Sequence, residues 1–129
     1  MNDDEIVADA SAILAALKNE PFGKFDPRRM VKASISAVNL CEVLTKLVDD
    51  GLTDAQAETA VVALDLRVYA FERREAHAAA QLRVRTRHAG LSLGDRACLA
   101  LGNRLGCPVL TADRAWANVD VGVEIVLIR

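Results

Sequence analysis

Aromatic side chains are scarce in this chain: Phe, Tyr and Trp together make up 4% of its 129 residues, with one Trp and one Tyr. A core made instead of Ala, Val, Leu and Ile favours helices and buried parallel strands over a β-sandwich. Histidine is limited to two residues, and the three cysteines, Cys41, Cys98 and Cys107, show no Cys-x-x-Cys spacing. That pattern suits neither zinc nor a disulfide framework, so all three thiols read as small buried hydrophobes. Long apolar runs are missing too, and none approaches the roughly 20 residues of a membrane span. The acidic start, Met1-Asn-Asp-Asp-Glu, lacks the basic and apolar regions of a secretory signal. The expectation is a cytoplasmic protein with no membrane association. A large excess of one charge is also lacking, since the net charge is −2, which alone does not mark a nucleic-acid binder.

Apolar residues amount to 52%, enough for one packed core, and residues 1–129 read as a single domain. Periodicity and punctuation divide the chain into alternating elements. Glu5-Ile-Val-Ala reads as a first strand, and Ser11 to Lys18 as a helix broken by Glu20-Pro-Phe-Gly. Val31-Lys-Ala-Ser-Ile reads as a second strand. Ser36 caps a second helix running to about Val48, and Gly51 stops it. Thr53 and Gln56 have capping-box spacing for a third helix. Arg67-Val-Tyr-Ala-Phe follows as a strand, and Glu72 to about His88 as one long Ala-rich helix ended by Gly90. Ser92 caps a helix from Leu93 to Leu105, with Gly106 just past its end and Pro108 two residues on. Val109-Leu-Thr and Val123 to Ile128 complete the strands. Helices between strands argue for a mostly parallel sheet covered on both faces.

Four acids sit at the ends of predicted strands or about one turn into predicted helices: Asp9, Glu42, Asp95 and Asp113. In an open α/β sheet such places converge on one edge. Gathered carboxylates repel unless a cation sits among them, and oxygen-only donors suit Mg²⁺ or Mn²⁺. Removing these four negative charges turns −2 into +2, so a metal-loaded site would not repel a phosphate backbone. Each acid also has a local reading. Asp9 and Asp113 could cap the helical turns that follow them, and Asp95 could complete a capping box with Ser92. Glu42, mid-helix, could pair with Lys46 at i,i+4.

The segments Asp9-Ala-Ser-Ala-Ile-Leu-Ala, Ser36-Ala-Val-Asn-Leu-Cys-Glu-Val-Leu, Leu91-Ser-Leu-Gly-Asp-Arg-Ala-Cys-Leu-Ala-Leu and Val109-Leu-Thr-Ala-Asp-Arg-Ala-Trp, in this order and spacing, resemble a PIN-domain protein. The likeness is to the VapC-type toxin ribonucleases of bacterial toxin–antitoxin pairs, and it covers Val7 to Val126. It implies a three-layer α/β/α sandwich with a mostly parallel central sheet of four to five strands. It also implies metal-dependent cleavage of RNA, a homodimer, and inhibition by a cognate VapB-type antitoxin whose tail crosses the active-site groove. The family's four acids fall on Asp9, Glu42, Asp95 and Asp113. Asp9 and Asp95 would hold Mg²⁺ or Mn²⁺ directly, while Glu42 and Asp113 would act through water or position the attacking water. Empty, such a cluster should raise its own pKa values and be partly protonated.

Ser11, two places after the first acid, would orient Asp9 or contact phosphate. Thr111 would support Asp113, and Asn39, on the Glu42 face of its helix, is a further supporting candidate. Arg96 would meet a phosphate or pair with a neighbouring acid, the latter being favoured. Arg83, Arg85 and Arg87 would reach RNA or an acidic antitoxin segment if this stretch is not a regular helix; otherwise they form a solvated basic helix end. Asp120 could join the site. His77 reads as an ordinary surface or partly buried residue, and Trp116 as packing beneath the fourth-strand turn. Residues 83–87 lack a proline often found there in the family. The same fold also serves RNA processing, cleavage of structured DNA, and non-catalytic partner binding. A phosphoacceptor receiver domain is disfavoured because no Lys follows Lys46, and a haloacid-dehalogenase-like phosphatase because Asp9-Ala-Ser lacks a second Asp.

Overall fold

The computed structural model describes residues 5–129, so the acidic start at 1–4 lies outside the described residues. Five short strands form one parallel sheet: β1 (Val7–Ala8), β2 (Ser34–Ser36), β3 (Arg67–Tyr69), β4 (Val109–Thr111) and β5 (Ile125–Leu127), in the order β3-β2-β1-β4-β5. All four pairings are parallel, with Val7 opposite both Ser34 and Val109. The expected architecture is therefore present, with every strand parallel. From β1 the chain winds outward through β2 to β3, then returns to place β4 on the other side of β1. The winding reverses between β1 and β4, and a cleft opens beyond the carboxyl ends of strands at such a point.

Two apolar layers cover the sheet, as expected for strands buried on both faces. Successive residues point to opposite sides. Ile6 and Ala8 pack with Ile13, Ile35, Val43 and Leu110 under α1 (Ala10–Leu17), α2 (Ala37–Asp49) and α3 (Asp54–Val62). Val7 and Val109 pack with Leu99, Leu101 and Trp116 under α4 (Arg73–Gln81) and α6 (Leu93–Leu105). Trp116 is fully buried and His77 is exposed, as the sequence suggests. No helix among the described residues is long and apolar enough to cross a membrane.

Helix ends follow local chemistry. Ser36 caps α2, Thr53 and Gln56 form their box, and α6 begins after Ser92 and ends at Gly106 with φ 66°. Four expectations are corrected. The second strand starts at Ser34 rather than Val31, because a 3₁₀ turn occupies Pro27–Met30 and Lys32 takes φ 65°, donating its N–H to Leu64 O. The strands at 67 and 123 are shorter than expected, ending at Tyr69 and starting at Ile125. The long helix from Glu72 breaks after Gln81 into α5 (Arg83–Thr86) and a 3₁₀ turn at Arg87–Ala89. There β-branched Val84 and Thr86 alternate with arginines, and Arg83 and Arg87 are like charges one turn apart. Cys41 is exposed on α2, whereas Cys98 and Cys107 are buried.

Gly102 shows how closely α6 lies on the sheet, because a Cβ there would overlap the Val109 side chain. Gly102→Ala should destabilise the protein by about 1–2 kcal/mol, as overpacking outweighs the helix-propensity gain. Urea unfolding measures this; an unchanged or higher midpoint would show that the layers are not in tight contact.

Candidate active site at the switch point

Asp9 follows β1 and caps α1, which places its carboxylate at the carboxyl edge of the sheet, beside the switch point. It is 3% exposed. Its Oδ1 accepts from Ala12 N at 2.8 Å and Ser11 Oγ at 2.7 Å, and its Oδ2 accepts from Thr111 Oγ1 at 2.6 Å. Ser11 Oγ also accepts from Ala112 N at 2.9 Å, so one serine ties the start of α1 to the end of β4. The Thr111 hydroxyl in turn accepts from Asp113 N at 3.0 Å. Thr111 thus supports Asp113, as expected, through its backbone N–H, and supports the Asp9 carboxylate as well. No Lys, Arg or His pairs with Asp9 among the described residues.

Asp95 stands in the first turn of α6, where its Oδ2 accepts from Ser92 N at 2.9 Å and its own N–H donates to Ser92 Oγ. The capping box is real, and the Asp95 charge adds a small repulsion at Asp9. Glu42 does not pair with Lys46, which instead meets Asp50 at 3.2 Å. Its Oε1 accepts from Asn39 Nδ2 at 2.9 Å, and the same amide donates to Gly94 O at 3.0 Å. Asn39 is buried and thereby links α2 to the first turn of α6. The Cys98 thiol is fully enclosed and pushed well above its ordinary range, by burial first and then by the charges of Asp9, Asp95 and Glu42. The charges of three acids from separate parts of the chain therefore reach the same thiol on α6. Asp113 is exposed and caps the 3₁₀ turn Arg114–Asn118 through Ala115 N, its link to the others being Thr111. Asp120 is exposed.

The basic candidates divide. Arg96 turns inward and donates to Ala79 O at 3.0 Å, which corrects the expected pairing with an acid: the guanidinium joins α6 to α4. Arg83, Arg85 and Arg87 are exposed, and none forms an ion pair among the described residues. Gly94 takes part in the site in a way the acid motif does not announce: a Cβ at that position would lie 2.5 Å from both Glu42 carboxylate oxygens. Its signal was a glycine in the first turn of a helix, where alanine is the better helix former.

Burial raises the Asp9 carboxyl from 3.8 to about 6, against the lowering effect of the Thr111, Ala12 and Ser11 bonds; repulsion from Asp95 adds the smallest push. Mutual repulsion had been expected to dominate, but enclosure by protein outweighs it. Among the described residues, no three His, Cys, Asp or Glu side chains are close enough to form a ready-made metal cage. The donor set nevertheless fits a hydrated Mg²⁺ or Mn²⁺. All its donors are hard oxygens, Asp9 is a buried carboxylate without a cation, and buried Asn39 Oδ1 has no partner. Mg²⁺ keeps several waters and need not touch every acid.

These features define the class: an open parallel α/β protein with acids gathered at the carboxyl edge of its sheet, beside the switch point. The chain matches the PIN-domain family over residues 6–122, and it belongs to that family. No curated protein matches it in sequence. Its fold is similar to that of DNA-bound VapBC from Salmonella typhimurium, at 18% identity and TM-score 0.75, covering 97% of this chain and 98% of the other. It is also similar to VapBC2 from Rickettsia felis bound to a promoter DNA fragment, at 12% identity and TM-score 0.74, with 96% and 98% covered. Mycobacterium tuberculosis VapC20, described as a Sarcin-Ricin loop cleaving toxin, gives 18% identity and TM-score 0.70, with 90% and 97% covered. Identities this low bear on the fold alone.

Because Asp9 holds its proton more tightly folded than unfolded, metal-free stability should fall as pH rises from about 3.8 through about 6. Asp9→Asn should therefore stabilise the metal-free protein at pH 7.5, by up to about 3 kcal/mol, with the gain disappearing near pH 4. Urea midpoints of both proteins across that range are the check; a pH-independent difference would place the cost elsewhere than in the Asp9 charge.

Proposed function

We propose that the protein is a metal-dependent endoribonuclease toxin of the VapC type, using Mg²⁺ or Mn²⁺ to cut RNA phosphodiester bonds. The observation that carries this reading is the buried Asp9 carboxylate, bound by Ser11 and Thr111 yet without a cation, in the shared field of Asp95 and Glu42. Membership of the PIN-domain family supports nuclease chemistry, and the RNA-loop cleavage named for VapC20 supports RNA as the substrate.

Asp9 and Asp95 would hold the ion directly. Glu42 and Asp113 would act through water, with Glu42 placed to orient the attacking water. A bound Mg²⁺ or Mn²⁺ supplies a more acidic water and neutralises charge on the scissile phosphate. Ser11 and Thr111 fix both oxygens of Asp9, so the carboxylate enters the reaction already oriented. Their donated hydrogen bonds also favour its ionised form against the cost of burial. Arg83, Arg85 and Arg87, exposed on the segment leading to the cap of α6, would meet RNA phosphates. Arg96, turned toward α4, is withdrawn from that role. The VapBC complexes among the similar structures support a VapB-type antitoxin as partner. A homodimer in the cytoplasm completes the proposal.

Purified full-length protein should cut total cellular RNA into discrete fragments with Mn²⁺ or Mg²⁺ and leave it intact with chelator. Asp95→Asn should lower the rate at least about 100-fold while remaining folded, since a direct ligand is replaced by a neutral group. Metal-independent cutting, or a variant as active as the parent, would overturn the assignment.

A further inference from the structure

The contact between α2 and α6 joins two acids that the chain keeps 53 residues apart, and a glycine makes room for it. In the structure the Glu42 carboxylate lies over Gly94: a Cβ there would be 2.5 Å from Oε1, 2.5 Å from Oε2 and 2.6 Å from Cδ, below the 3.0 Å that real Cβ atoms respect. Asn39 closes the arrangement from the side, giving one amide hydrogen to Glu42 Oε1 at 2.9 Å and the other to Gly94 O at 3.0 Å. Both partners are acceptors, so the orientation of the amide is determined by them. Its Oδ1 must then face the remaining direction, where it is buried and unpartnered. A residue 1% exposed with an unsatisfied acceptor is an unfavourable choice for packing alone.

We propose that Gly94 and Asn39 are positioning residues, which seat the Glu42 carboxylate against the first turn of α6 so that Glu42 and Asp95 serve one divalent cation together. This deepens the functional reading above and rests on it for the identity of the ligand. Gly94 contributes by having no side chain, and the seat exists only while position 94 carries a hydrogen. Glu42 is otherwise exposed to solvent, and Asn39 contributes the amide that holds one of its carboxylate oxygens against α6. Asp95 follows Gly94 directly, so the backbone turn that receives Glu42 also aims Asp95. Outer partners of this kind orient ligands, and losing one typically weakens metal affinity about 10- to 100-fold.

The contact also sets the proposal apart from a packing role. Gly102, on the same helix, abuts the Val109 side chain and a backbone carbonyl, whereas the atoms over Gly94 belong to the tip of a flexible side chain. Alanine at 94 would displace Glu42 without opening the core, and it is a better helix former than glycine. Folding and site geometry should therefore respond in opposite directions.

The test uses full-length protein and Mn²⁺ followed by electron paramagnetic resonance. Gly94→Ala should bind Mn²⁺ at least about 10-fold more weakly than the parent, with a metal-free thermal midpoint equal to or above the parent's. Adding Glu42→Asp, which shortens the side chain by one methylene, should recover part of the affinity in the Gly94→Ala background while weakening binding in the parent. Parental Mn²⁺ affinity in Gly94→Ala, or no recovery in the double variant, would overturn the proposal. A second measurement needs no metal: midpoint shifts for Asn39→Ala and Glu42→Ala in urea should not sum to that of the double variant. If the parent neither binds Mn²⁺ nor cuts RNA, the functional reading fails, and this metal-free cycle still decides the positioning claim. Additive shifts would refute it.

Discussion

A carboxylate enclosed by protein and bound by two hydroxyls organises this molecule. Asp9 lies where the winding of the sheet reverses, and its hydrogen bonds reach α1 through Ala12, its own turn through Ser11, and β4 through Thr111. Ser11 and Thr111 extend the network to the backbone of Ala112 and Asp113. The two strands flanking the switch point are thus joined beyond their ladder by side chains that all refer to one acid. Desolvation opposes this charge and hydrogen bonds favour it, and the balance leaves Asp9 titrating near 6. A carboxylate left in that condition is a poor structural element and marks a candidate functional group.

Other features of the fold serve to bring acids to that carboxylate. Parallel strands with helical crossovers deliver the starts of α1, α2 and α6 to one edge of the sheet, and each of these turns carries or supports an acid. Local and functional readings then coexist. Asp9 and Asp95 are helix-capping residues in their hydrogen bonding and members of the acidic group in their position. Asp113 shows the local role more strongly, since its carboxylate caps the following turn and only the Thr111 hydroxyl relates it to Asp9.

Much of this was legible from the chain because the signals are local. The bounds of α6 follow from Ser92 at one end and Gly106 at the other, and the Thr53–Gln56 box appears as its spacing implies. The strand at Val109–Thr111 and the burial of Trp116 were equally plain. What escaped depends on tertiary neighbours. Nothing around Arg96 indicates that it donates to Ala79 O, because that carbonyl belongs to a helix 17 residues earlier. Glu42 advertised Lys46 as its partner, yet the lysine is drawn to Asp50 and the glutamate to Asn39. The break after Gln81 was partly readable from the clustered arginines and β-branched residues, but alanine content suggested one continuous helix. Cys41 carries the apolar look of its helix while facing solvent.

That exposed thiol gives the protein a built-in handle for spectroscopy. Cys41 neighbours Glu42 on α2, while Cys98 and Cys107 are shielded within the protein. A maleimide dye or nitroxide would therefore attach at one place among the described residues without prior cysteine removal. Its side chain bonds only within its own helix turn, to Thr45. A probe there would sit on the outer surface of the helix that carries Glu42, and would report tilting or ordering of that helix as ions, RNA or a protein partner arrive.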